Sequence, residues 1–155
     1  MSDVLATIKA DHDNVKSLFG KYKAATGSEK VTLAMTLITE MKAHSAAERV
    51  LASMDDCSYT DPWRSGMPPS TLTTPAGVST LLPTSVKEHA EINKMLADAA
   101  AAASNDAVVT KAVTTFIAHS DEEENQQWPA IKAKMSASES ATLATQFVAA
   151  KKSVA

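Results

Sequence analysis

Apolar residues return every three or four positions along four long stretches of this chain, and each stretch carries one of its four histidines inside the apolar stripe. That period is the one an α-helix needs to bury a single face. Aromatics make up only 5% of the residues, and β-branched residues never group into alternating runs, so the reading is all-α. The first helix is expected from about Asp3 to Ala24, with Leu5, Ile8, Val15, Leu18, Phe19 and Tyr22 in its stripe. Ser2 or Asp3 caps its start and Gly27 marks its stop. Thr26-x-x-Glu29 resembles a capping box for the second helix, which continues through Leu33, Leu37, Met41 and Leu51 to about Met54. Because the link is short, these two helices should run antiparallel.

From Asp55 to Thr74 the periodicity stops, and Asp61–Pro62, Ser65–Gly66 and Pro68–Pro69–Ser70 read as turns. A stretch that long without helix suits either a loop with a task, such as capping one end with Trp63, or a tolerated surface insertion. Pro83 leaves two starts for the third helix. Either a short helix opens at Thr74–Pro75 and ends near Leu82, or one longer helix kinks at the proline. The pattern then runs through Val86, Ile92 and Leu96 to Ala103. Ser104–Asn105 caps the fourth helix, which carries Val109, Val113, Phe116 and Ile117 and is expected to end near Met135 despite Pro129. Ser136-x-x-Glu139 is a second capping box and opens a short helix with Leu143, Phe147 and Val154 on one face. The expected architecture is a single domain over residues 1–155: an up-down-up-down four-helix bundle over about 3–135, with an extra C-terminal helix over about 137–152.

A net charge of -3 with no basic stripe argues against nucleic acid as the partner. Cys57 stands alone, which excludes a disulfide framework and a CxxC motif. No apolar run reaches the roughly 18 residues of a membrane span, and the N-terminal residues do not form a signal peptide. The expectation is a cytoplasmic protein without a membrane partner.

The chemistry lies in the histidines. His12, His44, His89 and His119 fall on successive helices, and two begin the same motif: His44-Ser-Ala-Ala-Glu48 and His119-Ser-Asp-Glu-Glu123. Residues four apart on a helix stand on the same face, so the imidazole and carboxylate of each motif can reach one metal or adjacent metals. The stripes turn all four histidines inward. Two glutamates buried with them would carry uncompensated charge, because the stripes hold no Lys or Arg; metal cations would supply it. The six candidate ligands are therefore His12, His44, Glu48, His89, His119 and Glu123. Asp121, Glu122, Glu124 and Glu91 read as a solvated face. Tyr22 either hydrogen-bonds near the site or packs.

Here the chain resembles the hemerythrin-like, or HHE cation-binding, domains over about residues 3–135. The resemblance rests on Asp11–His12, His44-x-x-x-Glu48, Glu88–His89, and His119-x-x-x-Glu123 in a run ending Trp128–Pro129. It implies two iron ions in an oxo- or hydroxo-bridged centre, with His12 and His44 on one, His89 and His119 on the other, and Glu48 and Glu123 bridging. Oxygen, peroxide or other small molecules are the implied ligands.

Two departures stand out. The third helix has Ser85 and Asn93 where respiratory members of the family place a further histidine, which leaves a labile position at both metals. The last carboxylate of those members is an Asp five residues after the helix histidine, where this chain has Glu124. Five residues turn about 140° from His119, so Glu123 is preferred and Glu124 is its alternative. The resemblance thus points to a protein that binds oxygen or related molecules in oxygen or iron handling, sensing or detoxification. The rivals are a di-iron oxidoreductase consuming peroxide or nitric oxide, a metal-dependent sensing module, and a structural site for zinc or manganese.

Overall fold

Residues 3–53 and 82–154 are described by a computed structural model, and among them the only regular structure is helical. Helix α1 spans Val4–Ala24, and the Asp3 carboxylate caps it by accepting from the backbone N–H groups of Leu5 and Ala6 at 2.9 and 3.4 Å. Its buried face is Val4, Ile8, His12, Val15, Phe19 and Tyr22, a run of four- and three-residue steps with a histidine in the middle. Helix α2 spans Gly27–Ser53, so Gly27 opens the second helix instead of ending the first. Its φ of +59°, which a side chain would strain, turns the chain between the two. Thr26 and Glu29 stand at the N-cap and third positions the capping box needs, but no hydrogen bond joins them, and Gly27 between them holds a left-handed φ instead of a helical one.

Helix α3 spans Leu82–Ala101 with Pro83 in its first turn, where the missing N–H would have had no helical partner. The possible short helix from Thr74 to Leu82 and the 55–74 loop lie outside the described residues. Helix α4 spans Asp106–Glu122 and is capped by the Asn105 side chain on the N–H groups of Ala107 and Val108. The expected continuation toward Met135 is interrupted by a π turn over Glu123–Gln127, then resumes as α5, Trp128–Lys132. Pro129 explains much of this. It cannot donate to a carbonyl one α-turn back, and the wider turn lets Trp128 N–H reach Glu123 instead. Helix α6 spans Ala137–Val154 and starts with the reciprocal box expected at Ser136 and Glu139: Ser136 N–H donates to Glu139 at 2.8 Å, and Glu139 N–H to the Ser136 hydroxyl at 3.3 Å.

Helix α1 packs on α2, α2 on α3, α3 on α4, and α4 returns to α1. Helix α6 is no short appendage: with 18 residues it lies along both α1 and α2. Two apolar clusters result. The larger joins Phe19, Tyr22, Leu37, Met41, Ile92, Leu96, Val113 and Phe116. The smaller joins Val4, Ile8, Ala47, Ala144 and Phe147, with Trp128 against it. Along α1, His12 falls between Val15 of the first cluster and Ile8 of the second; along α2, His44 falls between Met41 and Ala47. The polar groups thus form a layer between two apolar ones. No described helix is long and apolar enough to cross a membrane.

Candidate metal centre

The stripes of α1 to α4 carry the four histidines inward, and all are buried, at 0% exposure for His12 and His44, 5% for His89 and 6% for His119. They meet as two pairs. His12 Nε2 lies 3.2 Å from His44 Nε2, and His119 Nε2 lies 3.0 Å from His89 Nε2. The two candidate glutamates stand between the pairs. Glu48 Oε2 is 3.1 Å from His44 Nε2 and 2.7 Å from His89 Nε2, so it touches both. Glu123 Oε1 is 3.0 Å from His119 Nε2 and 4.0 Å from His89 Nε2, while its Oε2 is 3.8 Å from His12 Nε2. All six residues expected from the sequence are therefore brought together. Their ligand atoms fall into two groups that share Glu48: Glu48, His89, His119 and Glu123, and His12, His44 and Glu48, with the atoms of each group within 4.8 Å of one another.

The outer edges of the rings explain what the inner edges can do. His12 Nδ1 lies 2.9 Å from Glu124, His44 Nδ1 3.1 Å from Asp11, and His119 Nδ1 2.9 Å from Glu88. A carboxylate accepts only, so each of these Nδ1 atoms carries the proton and donates. The Nε2 atoms of the neutral rings are then lone pairs aimed at one another and at carboxylate oxygens. Without a proton or a cation between them, that arrangement is repulsive. Glu48 Oε2 is buried and accepts no hydrogen bond in good geometry despite its two crowding imidazoles. Two imidazole nitrogens each about 2.1 Å from one ion would sit about 3.0–3.4 Å apart for angles from a right angle to tetrahedral, a range that holds the 3.2 and 3.0 Å of the two pairs. The residues fit metal ions.

Protons partly take the cation's place in the metal-free protein. Burial disfavours a charge on His44, but the Glu48 charge and the Asp11 hydrogen bond outweigh it and raise the ring's pKa to about 9. Burial also opposes ionisation of Glu48, yet His44 and His89 hold it well below the usual carboxylate range. His12 goes the other way: burial and the neighbouring His44 charge push it down. In His119 burial again opposes the charge, and Glu123 raises it.

Glu124 corrects the sequence reading. It was expected on a solvated face, and as the alternative ligand to Glu123. Instead its carboxylate accepts the hydrogen bond from His12 Nδ1–H on one side and pairs with Lys9 at 3.1 Å on the other. Asp121, Glu122 and Glu91 do stay exposed, and Asp121 pairs with Lys16 at 2.8 Å. Tyr22 packs: it is buried in the larger apolar cluster, stacked on Phe19. Its hydroxyl donates to Asp106 at 2.8 Å at the start of α4.

Trp128 was legible only as part of a motif. Nine residues after His119, it would stand about 180° away in an unbroken α-helix. The π turn inserts one residue into one turn and swings it back by about 100°. Its ring stacks on His12, with centroids 5.8 Å apart and planes 20° from parallel. Phe116 meets His12 and His44 edge-on at 6.1 and 5.1 Å, and Phe147 meets His44 at 5.6 Å. These rings keep water from the His12–His44 pair. No protein-family model matches the chain, and comparisons with characterised proteins and with solved structures find no match either.

Proposed function

We propose that this chain is a hemerythrin-like protein, an up-down-up-down four-helix bundle with an added helix, that holds two iron ions and binds oxygen or related small molecules. Its role would lie in oxygen or iron handling, sensing or detoxification. One observation carries the reading: two Nε2–Nε2 pairs at 3.2 and 3.0 Å are faced by two glutamates, and Glu48 touches both pairs. The closed order of packing, α1 to α2 to α3 to α4 and back, supports the bundle.

In this reading His12 and His44 hold one metal, His89 and His119 the other, and Glu48 and Glu123 span both. The metal pair, when bound, supplies redox chemistry and open positions for a small ligand. The protein's part is to hold and orient. Asp11, Glu124 and Glu88 fix three rings in the Nδ1–H form and make each Nε2 a better donor. Trp128, Phe116 and Phe147 exclude solvent around the first pair, which strengthens each charge interaction inside.

The test is metal content per chain together with the visible spectrum, before and after oxygen and azide. Two irons with the charge-transfer bands of a bridged diferric centre support the reading; one zinc and no colour overturns it. The chain holds only four histidines, two to each metal, and this favours a second reading: a di-iron oxidoreductase acting on peroxide or nitric oxide at positions open on both metals. Rapid gas evolution from hydrogen peroxide by the iron-loaded protein would select it. A fully reversible oxygen complex would select the first.

A further inference from the structure

Helix α6 supplies none of the six residues assigned to metal, yet it reaches His44 twice. The Phe147 ring lies against it at 5.6 Å, nearly perpendicular at 78°. One helical turn later, Lys151 Nζ pairs with Asp11 Oδ1 and, at 2.8 Å, with Glu40. The other Asp11 oxygen accepts the His44 Nδ1 proton at 3.1 Å. Asp11 is on α1, Glu40 is on α2 one turn before His44, and Lys151 is on α6. A single ammonium therefore ties three helices together over the outer edge of one imidazole.

We propose that Lys151 is a positioning residue for the His12–His44 half of the centre, and that docking of α6 is thereby coupled to metal occupancy of that half. The proposal rests on the two-metal reading above. Asp11 can orient His44 only as firmly as Asp11 itself is held. Its side chain is 16% exposed, so without a second partner its carboxylate can turn toward water and release the ring. Lys151, 21% exposed, fixes the opposite oxygen and separates the negative charges of Asp11 and Glu40, which would otherwise face each other. No comparable contact from α6 reaches Glu88 or His119 among the described residues, so the effect belongs to one half. Linkage makes it reciprocal: if docked α6 strengthens metal binding by some factor, bound metal strengthens docking by the same factor.

The experiment titrates the full chain with cobalt(II) against a competing chelator, following the visible bands of the bound ion. Wild type takes two equivalents. In Lys151→Met one equivalent is expected to weaken by about tenfold, as loss of an outer partner does, while the other is unchanged; Lys151→Arg restores most of the loss. Amide exchange over residues 143–151 should slow when cobalt is bound. Equal weakening of both equivalents would make Lys151 a structural pin only, and unchanged affinity would give it no role; either result overturns the proposal. So does exchange in α6 that ignores cobalt in the wild type, a readout that decides alone if Lys151→Met fails to fold. Failure of the wild type to bind two equivalents is a different result, and removes the two-metal reading itself.

Discussion

His12 and His44 are each backed by a carboxylate that is itself anchored: Glu124 by Lys9, and Asp11 by Lys151. In the other pair the carboxylate backing His119 is Glu88, whose side chain is 34% exposed. Among the described residues, three aromatic rings wall the first pair, while in the second the two imidazoles meet each other, perpendicular at 4.5 Å. One donor set thus has two supports, a dry and braced one between α1, α2 and α6, and a more open one between α3 and α4. If the two pairs hold two metals as proposed, halves that differ in this way should load unevenly and react unevenly.

The strongest way to break the comparison is to remove what the halves share. Glu48 touches both pairs, so Glu48→Gln should weaken both metals together, by more than the roughly 10–100-fold that loss of an outer partner costs. Metal content after dialysis reads the effect. Loss confined to one metal would mean that the glutamate does not join the halves. Next in size, Asp11→Asn against Glu88→Gln sharpens the asymmetry. An amide can still accept, but it lacks the charge that holds the ring proton. Loss at the braced, desolvated Asp11 should reach on the order of tenfold or more, and at the exposed Glu88 clearly less. Chelator competition on the two variants measures the ratio, and equal losses would dissolve the distinction between the halves.

The helices and the six candidate ligands were legible because both are written locally. Asp3, Asn105 and the Ser136–Glu139 box name helix starts within a few residues, and a histidine inside a 3.6-period stripe must point where the stripe points. The support around the site was not local. Asp11 meets His44 at a separation of 33 residues, and Lys151 meets Asp11 at 140. Glu124 escapes the sequence for a different reason: nothing local tells that α1 lies over its face with His12, Lys9 and Lys16. Pro129 was the one local hint of the π turn, since a proline inside a helix must be accommodated by some irregularity. Trp63 and Cys57 fall outside the described residues.

Removing the metal exposes the electrostatic side of the contrast. Metal-free, His44 has its pKa raised to about 9, and its folded value therefore exceeds the unfolded one of about 6.5. The stability this lends is complete below about 6.5 and is lost as pH rises through about 9. His119, also raised, has the same sign. His12 is lowered, so it destabilises the fold as pH falls below the unfolded value. The melting temperature of the metal-free protein should thus decline from about pH 6.5 to above 9. In Asp11→Asn, which removes one of the two carboxylates that raise His44, the decline should flatten. A melting temperature that climbs over this window would contradict the His44–Glu48 charge pair.

The smallest effect expected is at Trp128, and it isolates the dry wall from the charges. Trp128 forms no hydrogen bond to His12; it stacks on the ring at 5.8 Å. Trp128→Phe keeps an aromatic face but shortens it, forfeiting part of a contact worth about 0.5–1.5 kcal/mol. The His12–His44 metal should therefore weaken by less than about tenfold, with the second metal unaffected because His119 and His89 do not touch this ring. Chelator competition again resolves the two. If the loss instead matched that of Asp11→Asn, exclusion of water would rank with the anchored carboxylates in holding the first metal. The contrast between the halves would then be one of solvent access as much as of bracing. If Trp128→Phe weakened both metals alike, the π turn that precedes Trp128 would be acting through Glu123, the one residue of that turn shared by both pairs.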